Sequence, residues 1–471
     1  MNNDLSPLSL LAFFIPFIAT LVNLALGATP PVRRSLALLA SLTLVSFFAY
    51  SLEPATQQLP VSIVPGFFEA NEISAYCGIL FNFIYALVCV AFGDRVFQTR
   101  SAGYWLLLQL FVSLSLVCEN TDLFSLLLVS ALIIHIKVSQ EDVYQVSRRS
   151  ERYILVVFSS VLAALFTLVF FGLLRVNYHA DTFTLLSQSV DTLPRYLKIL
   201  SSALMMTSLG AFPLHFWVKP LFAAPARYGL AVITRLNIGF VVWCKLYPMI
   251  FSGDPILDQI LTYGCGANLI YAALLLFGER KLSQIVSALY LFHVPLLILA
   301  VKTDGRSGPP DFILDFANII VAVSGLLIIL GMLRDRLGAE NLDRAHGLGI
   351  SYPFLGIAFL ICVLSLVGFP GTLGFISSEI ILHHFAESTW PVAACFIITL
   401  ALNGYSSFRI FGESFYGDPE QSYRRVFQPV MREKIAIVLV LLFLFASGIG
   451  PHIATPEPIL ATHQEGRHES R

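Results

Sequence analysis

Apolar runs of about 20 residues recur along almost the whole of this 471-residue chain, with only short polar segments between them. That is the length an α-helix needs to cross a bilayer. Runs repeated this often predict an all-α polytopic membrane protein. The composition agrees: 56% of residues are hydrophobic and 13% charged, against roughly 25% charged in a soluble domain. Candidate spans lie near 8–27, 34–51, 74–93, 103–118, 122–138, 153–174, 195–212, 228–250, 256–277, 283–301, 311–333, 353–369, 371–412 and 435–451. The run 371–412 reads as broken. The expectation is therefore about 14 transmembrane helices.

The charges between the runs test this count, because Lys and Arg collect on the cytoplasmic side. Arg33 and Arg34, Arg95 and Arg100, then Arg148, Arg149 and Arg152 fall in alternate loops. Lys219 and Arg227, Arg280 and Lys281, Arg334 and Arg336, and Arg424 and Arg425 continue the alternation. The loop 52–73 holds three acids and no Lys or Arg. Roughly nineteen basic residues fall on one side and about six on the other, which predicts that both termini lie on the outer face. The first apolar run lacks a basic leader and continues into further spans, so no cleavable signal peptide is expected. The polar tail after Pro451 is expected to be exposed and disordered.

The longest polar segments, near 138–152 and 334–350, read as loops, so no soluble domain is expected. The net charge of -1 and the lack of a basic tract give no reason to expect nucleic acid. Cys77, Cys89, Cys118, Cys244, Cys265, Cys362 and Cys395 are scattered, with no CxxC or zinc spacing, and read as buried small hydrophobes. No dinucleotide loop, Walker A motif, nucleophile elbow or metal cluster is present, so neither metal nor cofactor is expected. His383 and His384 are neighbours on a helix and point apart, which suits a polar helix end better than a metal.

Residues 200–248 carry the densest chemistry. Two apolar segments are interrupted by Pro213, Pro220 and Pro225, with His215, Trp217, Lys219, Arg227 and Arg235 around the break. Proline ends or kinks a helix. Irregular backbone inside a membrane survives only where protein buries it or water lines it. Titratable groups beside such a break read as an ion pathway. His215 is either a proton relay or a histidine bonded to a carbonyl freed by Pro213. Arg235 stays charged, so it either tunes a carboxylate or forms a structural ion pair. Lys245 is expected to snorkel to the interface.

Three further sites stand out. Glu119, in VCENTD, is either a desolvated proton site or part of a solvated turn with Asp122. His293 sits mid-span before Pro295 and reads as functional. Glu379 follows GFPG, where a half-helix starts. It reads either as an acid held by the helix dipole or as an ionisable group at a discontinuous helix.

Three stretches then carry a resemblance. PLHFWVKPLFAAPA (213–226), VGFPGTLGFISSEIIL (367–382) and SSFRIFGESFYGDP (406–419) resemble segments of the antiporter-like membrane subunits of respiratory complex I, the Mrp cation/proton antiporters and the membrane subunits of inorganic-carbon pumps. Glu119 stands where that family has its fifth-span glutamate. The resemblance covers about residues 70–420 and implies two inverted five-helix repeats, each with a broken helix. It divides the chain into N-terminal helices (1–102), a first repeat (103–250), a second repeat (251–415) and a C-terminal helix with tail (416–471). It also implies a proton relay across the midplane, to which Glu119, His215, Arg235, His293 and Glu379 are assigned. Lys245, Lys219 and Asp122 are accessory candidates.

The departures from the family pattern are specific. Its seventh-span lysine falls near Ser208, where no lysine stands. Arg235 lies near the next lysine position. The eleventh span has Asp311 and Asp315 at its edge in place of a lysine. Ser378 occupies the charged twelfth-span position, with Glu379 one residue on. The relay is thus thinned. The resemblance implies a proton- or cation-conducting subunit of an energy-coupled complex in a bacterial inner membrane. Redox chemistry, such as that of an NADH:quinone oxidoreductase, would sit on partner subunits. Two alternatives stand beside it: the membrane subunit of an inorganic-carbon pump with a soluble zinc-containing partner, and a scaffold that has lost conduction.

Overall fold

The computed structural model describes residues 7–25, 29–56, 61–64, 66–93, 101–144, 150–178, 181–223, 229–249, 254–303, 312–338, 346–417 and 428–454. Arg95, Arg100, Arg148, Arg149, Pro225, Arg227, Asp311, Arg424, Arg425 and the tail after 454 lie outside them. The chain is a helical bundle. It begins with α1 (Pro7–Ala25), α2 (Pro30–Thr56), α3 (Glu72–Phe92), α4 (Ser101–Val117), α5 (Thr121–Tyr144) and α6 (Ser150–Tyr178). A short α7 (Phe183–Gln188) precedes α8 (Arg195–Leu209), α9 (Val218–Ala223) and α10 (Leu230–Leu246). Then come α11 (Pro255–Gly278), α12 (Leu282–Leu299), α13 (Phe312–Leu337), the single turn α14 (Leu348–Ser351) and α15 (Pro353–Leu366). The bundle ends with α16 (Leu373–Ser388), α17 (Trp390–Phe415) and α18 (Met431–Ala454).

Eight helices among the described residues are long and apolar enough to cross a membrane: α2, α3, α5, α6, α10, α11, α13 and α17. Shorter apolar stretches lie at Phe13–Asn23, Gly103–Val117, Gln284–Leu299 and Pro353–Leu366. Two of the expected runs stop inside the bundle for a local reason. The run expected at 195–212 ends at Leu209, where Gly210 takes a left-handed conformation (φ 76°) and Pro213 follows. The run 353–369 ends at Leu366, before Gly368 (φ 75°), Pro370 and Gly371 (φ 87°), and α16 resumes at Leu373. The run 371–412 is therefore two helices, α16 and α17.

Burial sorts the helices into layers. The apolar window of α13 is wholly buried, and those of α10 and α3 nearly so, whereas α6 and α17 bury only 39% of theirs. Leu165, Leu168 and Val169 of α6 and Ile397 and Ile398 of α17 are exposed on the outer surface, where hydrocarbon suits them better than water. α13 is thus the axis, with α3, α12, α15, α16 and α18 against it. Glycines allow the closest approaches. A Cβ on Gly325 of α13 would fall 2.8 Å from Val440 of α18, and one on Gly448 of α18 would fall 2.5 Å from the Thr372 carbonyl carbon. A Cβ on Gly374 would fall 1.7 Å from the Ser365 carbonyl oxygen and 2.8 Å from Asn318 Nδ2.

At one end of the bundle the loop between α2 and α3 is partly ordered as an antiparallel hairpin, β1 (Val61–Val64) and β2 (Phe68–Ala70). Three backbone segments are laid side by side there. Glu119 N–H donates to Phe67 O (2.7 Å), Phe183 N–H donates to Glu119 O (3.0 Å) and Thr121 N–H donates to Asp181 O (3.0 Å). Asp254 belongs to the same end. It caps α11 by accepting from the Ile256 and Leu257 amides, and it pairs with Arg195 at the start of α8. The opposite end holds other ion pairs, Lys219–Glu279 at 2.8 Å and Arg336–Glu433.

Two outcomes are expected. Gly374→Ala should lower the thermal midpoint of the detergent-solubilised protein, at a cost of about 1–3 kcal/mol or more from overpacking. Gly172→Ala in α6, with open space around it, should leave the midpoint unchanged. Arg195 beside Asp254 holds that carboxyl below its ordinary range. A depressed acid contributes stability above its unfolded pKa and loses it as pH falls through the folded value. Asp254→Asn should therefore lower the midpoint at neutral pH, and the difference from the native chain should vanish as the pH falls below the ordinary carboxylate range.

Candidate functional site

Glu119 lies in the turn between α4 and α5, held by the backbone ties to Phe67 and Phe183. The residue is 9% exposed. Oε1 accepts from the Thr184 amide at 2.6 Å and from Thr184 Oγ1 at 2.5 Å. It borders a cavity of about 190 Å³ whose wall includes Asn71, Thr184, Ser187, Cys244 and Lys245. Lys245, near the C-terminal end of α10, sits with its ammonium 5.1 Å from the centre of the Phe183 ring. Glu119 and Glu69 lie within its electrostatic reach. Glu119 is therefore in a turn at the bundle's end and nearly buried, beside a polar cavity that Lys245 also borders. Asp122, three residues on, faces outward 3.4 Å from Arg175, which also pairs with Asp181.

Inside the bundle the first break frees carbonyls at the end of α8. Three side chains take them. Trp217 Nε1 donates to Thr207 O at 2.9 Å, Arg235 Nη2 donates to the same oxygen at 3.3 Å, and Tyr290 Oη donates to Leu209 O at 2.5 Å. Arg235 is fully buried, and its guanidinium carbon is 4.8 Å from the Trp217 ring centre. Nε and Nη1 have no protein partner among the described residues. Its titratable neighbours are Tyr290 and His135 of α5. No carboxylate pairs with it among the described residues, so the structural ion pair is not what the geometry shows. His135 Nε2 contacts Ala231 O on α10 at 3.0 Å.

The second break is built in the same way. His293 Nε2 contacts Leu366 O at 2.7 Å, and Asn318 Nδ2 contacts Ser365 O at 3.4 Å. His293 Nδ1 faces Asp315 Oδ1 at 3.3 Å, and Ser377 Oγ donates to the same oxygen at 3.4 Å. All three side chains are buried. A carbonyl only accepts, so His293 Nε2 must carry hydrogen. In the neutral ring Nδ1 is then an acceptor, facing a carboxylate oxygen that also accepts. The contact is attractive only with one proton held between them, as imidazolium and carboxylate or as imidazole and carboxylic acid. Tyr290 and His293 are three residues apart on α12, the spacing that puts side chains on one face. They join the two breaks.

The remaining candidates lie elsewhere. His215, at the first break, is half-buried and contacts Tyr271 of α11 (2.8 Å) through Nε2. Lys219 is paired with Glu279 at the opposite end. Glu379 points away from the buried cluster and is exposed on the outer face of α16, whereas Ser377 and Ser378 face inward. In the sequence Asp315 stands at a span edge and is not among the relay residues, and His135, Tyr290 and Thr184 belong to no motif. A lone carboxylate among apolar residues was the available signal for Asp315. Thr184 had none, because its role depends on a loop docking onto Glu119.

The family model described as NADH:quinone oxidoreductase/Mrp antiporter, transmembrane, matches residues 122–403. An Na(+)/H(+) antiporter subunit of Bacillus subtilis is 25% identical over 324 residues, which are 66% of this chain and 64% of that protein. The NADH-quinone oxidoreductase subunit 13 of Thermus thermophilus is 25% identical over 250 residues, 51% of this chain and 53% of that protein. The matched portion thus spans less than two thirds of each relative's own length. A chain of respiratory complex I from Thermus thermophilus superposes with a TM-score of 0.80 at 19% identity, covering 94% of this chain and 96% of that one. That likeness is one of fold.

A buried guanidinium with so few protein partners among the described residues is held against a desolvation cost on the order of several kcal/mol. Arg235→Met should therefore leave the thermal midpoint unchanged or raise it. A clear fall in the midpoint would show that the arginine is a structural keystone.

Proposed function

The chain belongs to the NADH:quinone oxidoreductase/Mrp antiporter transmembrane family, and from that premise we propose that it is a proton- or cation-conducting subunit of an energy-coupled membrane complex. The observation that carries the reading is the buried contact of His293 with both Leu366 O and Asp315 at the second break. An imidazole within reach of a carboxylate is suited to accepting a proton on one side and releasing it on the other. Glu119 and Lys245 form the polar cavity at the bundle's end, where protons would exchange with water. Arg235, at the first break, carries a charge that is fixed at neutral pH. It would oppose an excess proton on His135 and favour the ionised form of any carboxylate whose charge it feels.

The finer architecture follows the same reading. One break falls within 103–250 and the other within 251–415, as two inverted repeats would place them. The end bearing Glu119 would be the outer one, because the loop 52–73 carries three acids and no Lys or Arg. Redox chemistry, where the complex has it, would belong to partner subunits.

The test is proton flux in vesicles containing the assembled complex. Glu119→Gln and Asp315→Asn keep shape and remove titration, and each should lower flux by on the order of 100-fold, the scale of losing a proton-transfer group. Assembly, read from co-purification of the partner subunits, should be unaffected. Native flux in both variants would replace this reading with that of a non-conducting scaffold.

A further inference from the structure

Cys77 and Cys244 are 167 positions apart in the chain, yet their sulfurs lie 3.3 Å from one another, joining α3 to α10. Cys77 is 1% exposed, whereas Cys244 is half-buried and forms part of the wall of the Glu119–Lys245 cavity. A disulfide places its sulfurs about 2.05 Å apart, so closure asks for a movement on the order of 1 Å. Other thiols are occupied differently. Cys118 donates to Asn120 O at 3.3 Å, and Cys395 donates to Gly266 O at 3.4 Å.

We propose that Cys77 and Cys244 are a redox-closable dithiol, oxidised by small disulfide-class oxidants that reach Cys244 through the cavity, and that the resulting bond clamps α3 to α10 across the Glu119–Lys245 site. The half-exposed Cys244 is the sulfur that meets the oxidant in the cavity, and the buried Cys77 resolves the adduct. In the first step the Cys244 thiolate attacks the oxidant's S–S bond, forming a mixed disulfide and expelling one thiolate of the oxidant. In the second, Cys77 attacks Cys244 Sγ and expels the other. One S–S bond breaks in the oxidant and one forms in the protein. Two thiol protons leave the protein, and the two electrons reside on the two thiols released.

The reaction requires both partners. Cys244 alone would keep the first adduct, and Cys77 alone would be shielded from the reagent. The clamp would also act on function. Lys245 follows Cys244 in the chain, and Asn71 and Ile73, which precede Cys77 on the N-terminal turn of α3, form the facing wall. Fixing α3 to α10 would therefore fix two sides of the cavity. This effect on flux rests on the proposed conducting role, whereas formation of the bond does not.

The experiment treats the full-length chain in lipid vesicles with dithiodipyridine, followed by mass spectrometry of the digested protein. The native chain should yield a Cys77–Cys244 cross-linked peptide, removed by dithiothreitol, with no adduct retained on Cys244. Cys77→Ser, and Cys77→Ala as a second variant in case the first fails to fold, should retain one pyridyl adduct on Cys244. Cys244→Ser should leave Cys77 unmodified. A stable adduct on Cys244 of the native chain with Cys77 free would overturn the dithiol, as would failure of Cys244 to react. Flux in the assembled complex should fall on oxidation and return with dithiothreitol in the native protein, and should not change in Cys77→Ala. A cross-link without any change in flux would overturn the clamp. A complex that conducts no protons before oxidation would instead refute the conducting role, leaving the cross-link to stand on its own peptide.

Discussion

Carbonyls released where two helices stop inside the bundle govern the rest of this structure. An unsatisfied backbone group in a low-dielectric interior costs several kcal/mol, so each break must be answered by a donor from another helix. Thr207 O and Leu209 O are answered by Trp217, Arg235 and Tyr290, and Ser365 O and Leu366 O by Asn318 and His293. Those donors come from α10, α12, α13 and the segment after the first break, which ties the arrangement of the core helices to the positions of the breaks. The polar groups that could move protons are therefore also the groups that let the backbone be irregular. This double duty accounts for the contrast between the two centres. At the first break the answering cation is an arginine, which cannot change its charge. At the second it is a histidine whose other nitrogen is left to share a proton with Asp315.

The difference matters for how charge can pass through the molecule. A row of exchangeable groups conducts as far as each member can gain and lose a proton. In the proposed relay Asp315, His293 and Glu119 would be such members. Arg235 would not, and with Nε and Nη1 unanswered by protein among the described residues it projects a positive field into a region of low dielectric. Its effect on its neighbours is electrostatic, and the spacing of the two centres along α10 and α12 decides how far that field reaches.

Much of this was legible in the sequence and some was not. The spans, the two proline- and glycine-marked breaks, and the ionisable residues beside them follow from local chemistry. Runs of apolar residues have one fate in a bilayer, and Gly210 and Pro370 have few others in a helix. The side a residue faces was less accessible. Glu379 and Ser378 are adjacent, yet one is exposed and the other buried, and a turn of about 100° around the helix is all that separates them. Contacts between distant segments were invisible. Nothing in the composition of 181–184 says that Thr184 would hold Glu119, and nothing in seven scattered cysteines says that two of them would touch. The hairpin at 61–70 was read as loop because its stabilising partner, the turn at 118–120, lies on another part of the chain.

The layering also sets a timetable. α13 is wholly buried over its apolar window, and one of its walls is α18, the last helix among the described residues. The same helix closes the second break through Gly448, against Thr372. A ribosome therefore delivers the axis well before its final wall. Until residues near 448 have entered the bilayer, the Gly371–Thr372 turn at the second break lacks the helix that packs against it. Completion of the second break is thus a late event in the assembly of the bundle. A chain that stops short of α18 would carry every residue of the site and still present it to the wrong solvent.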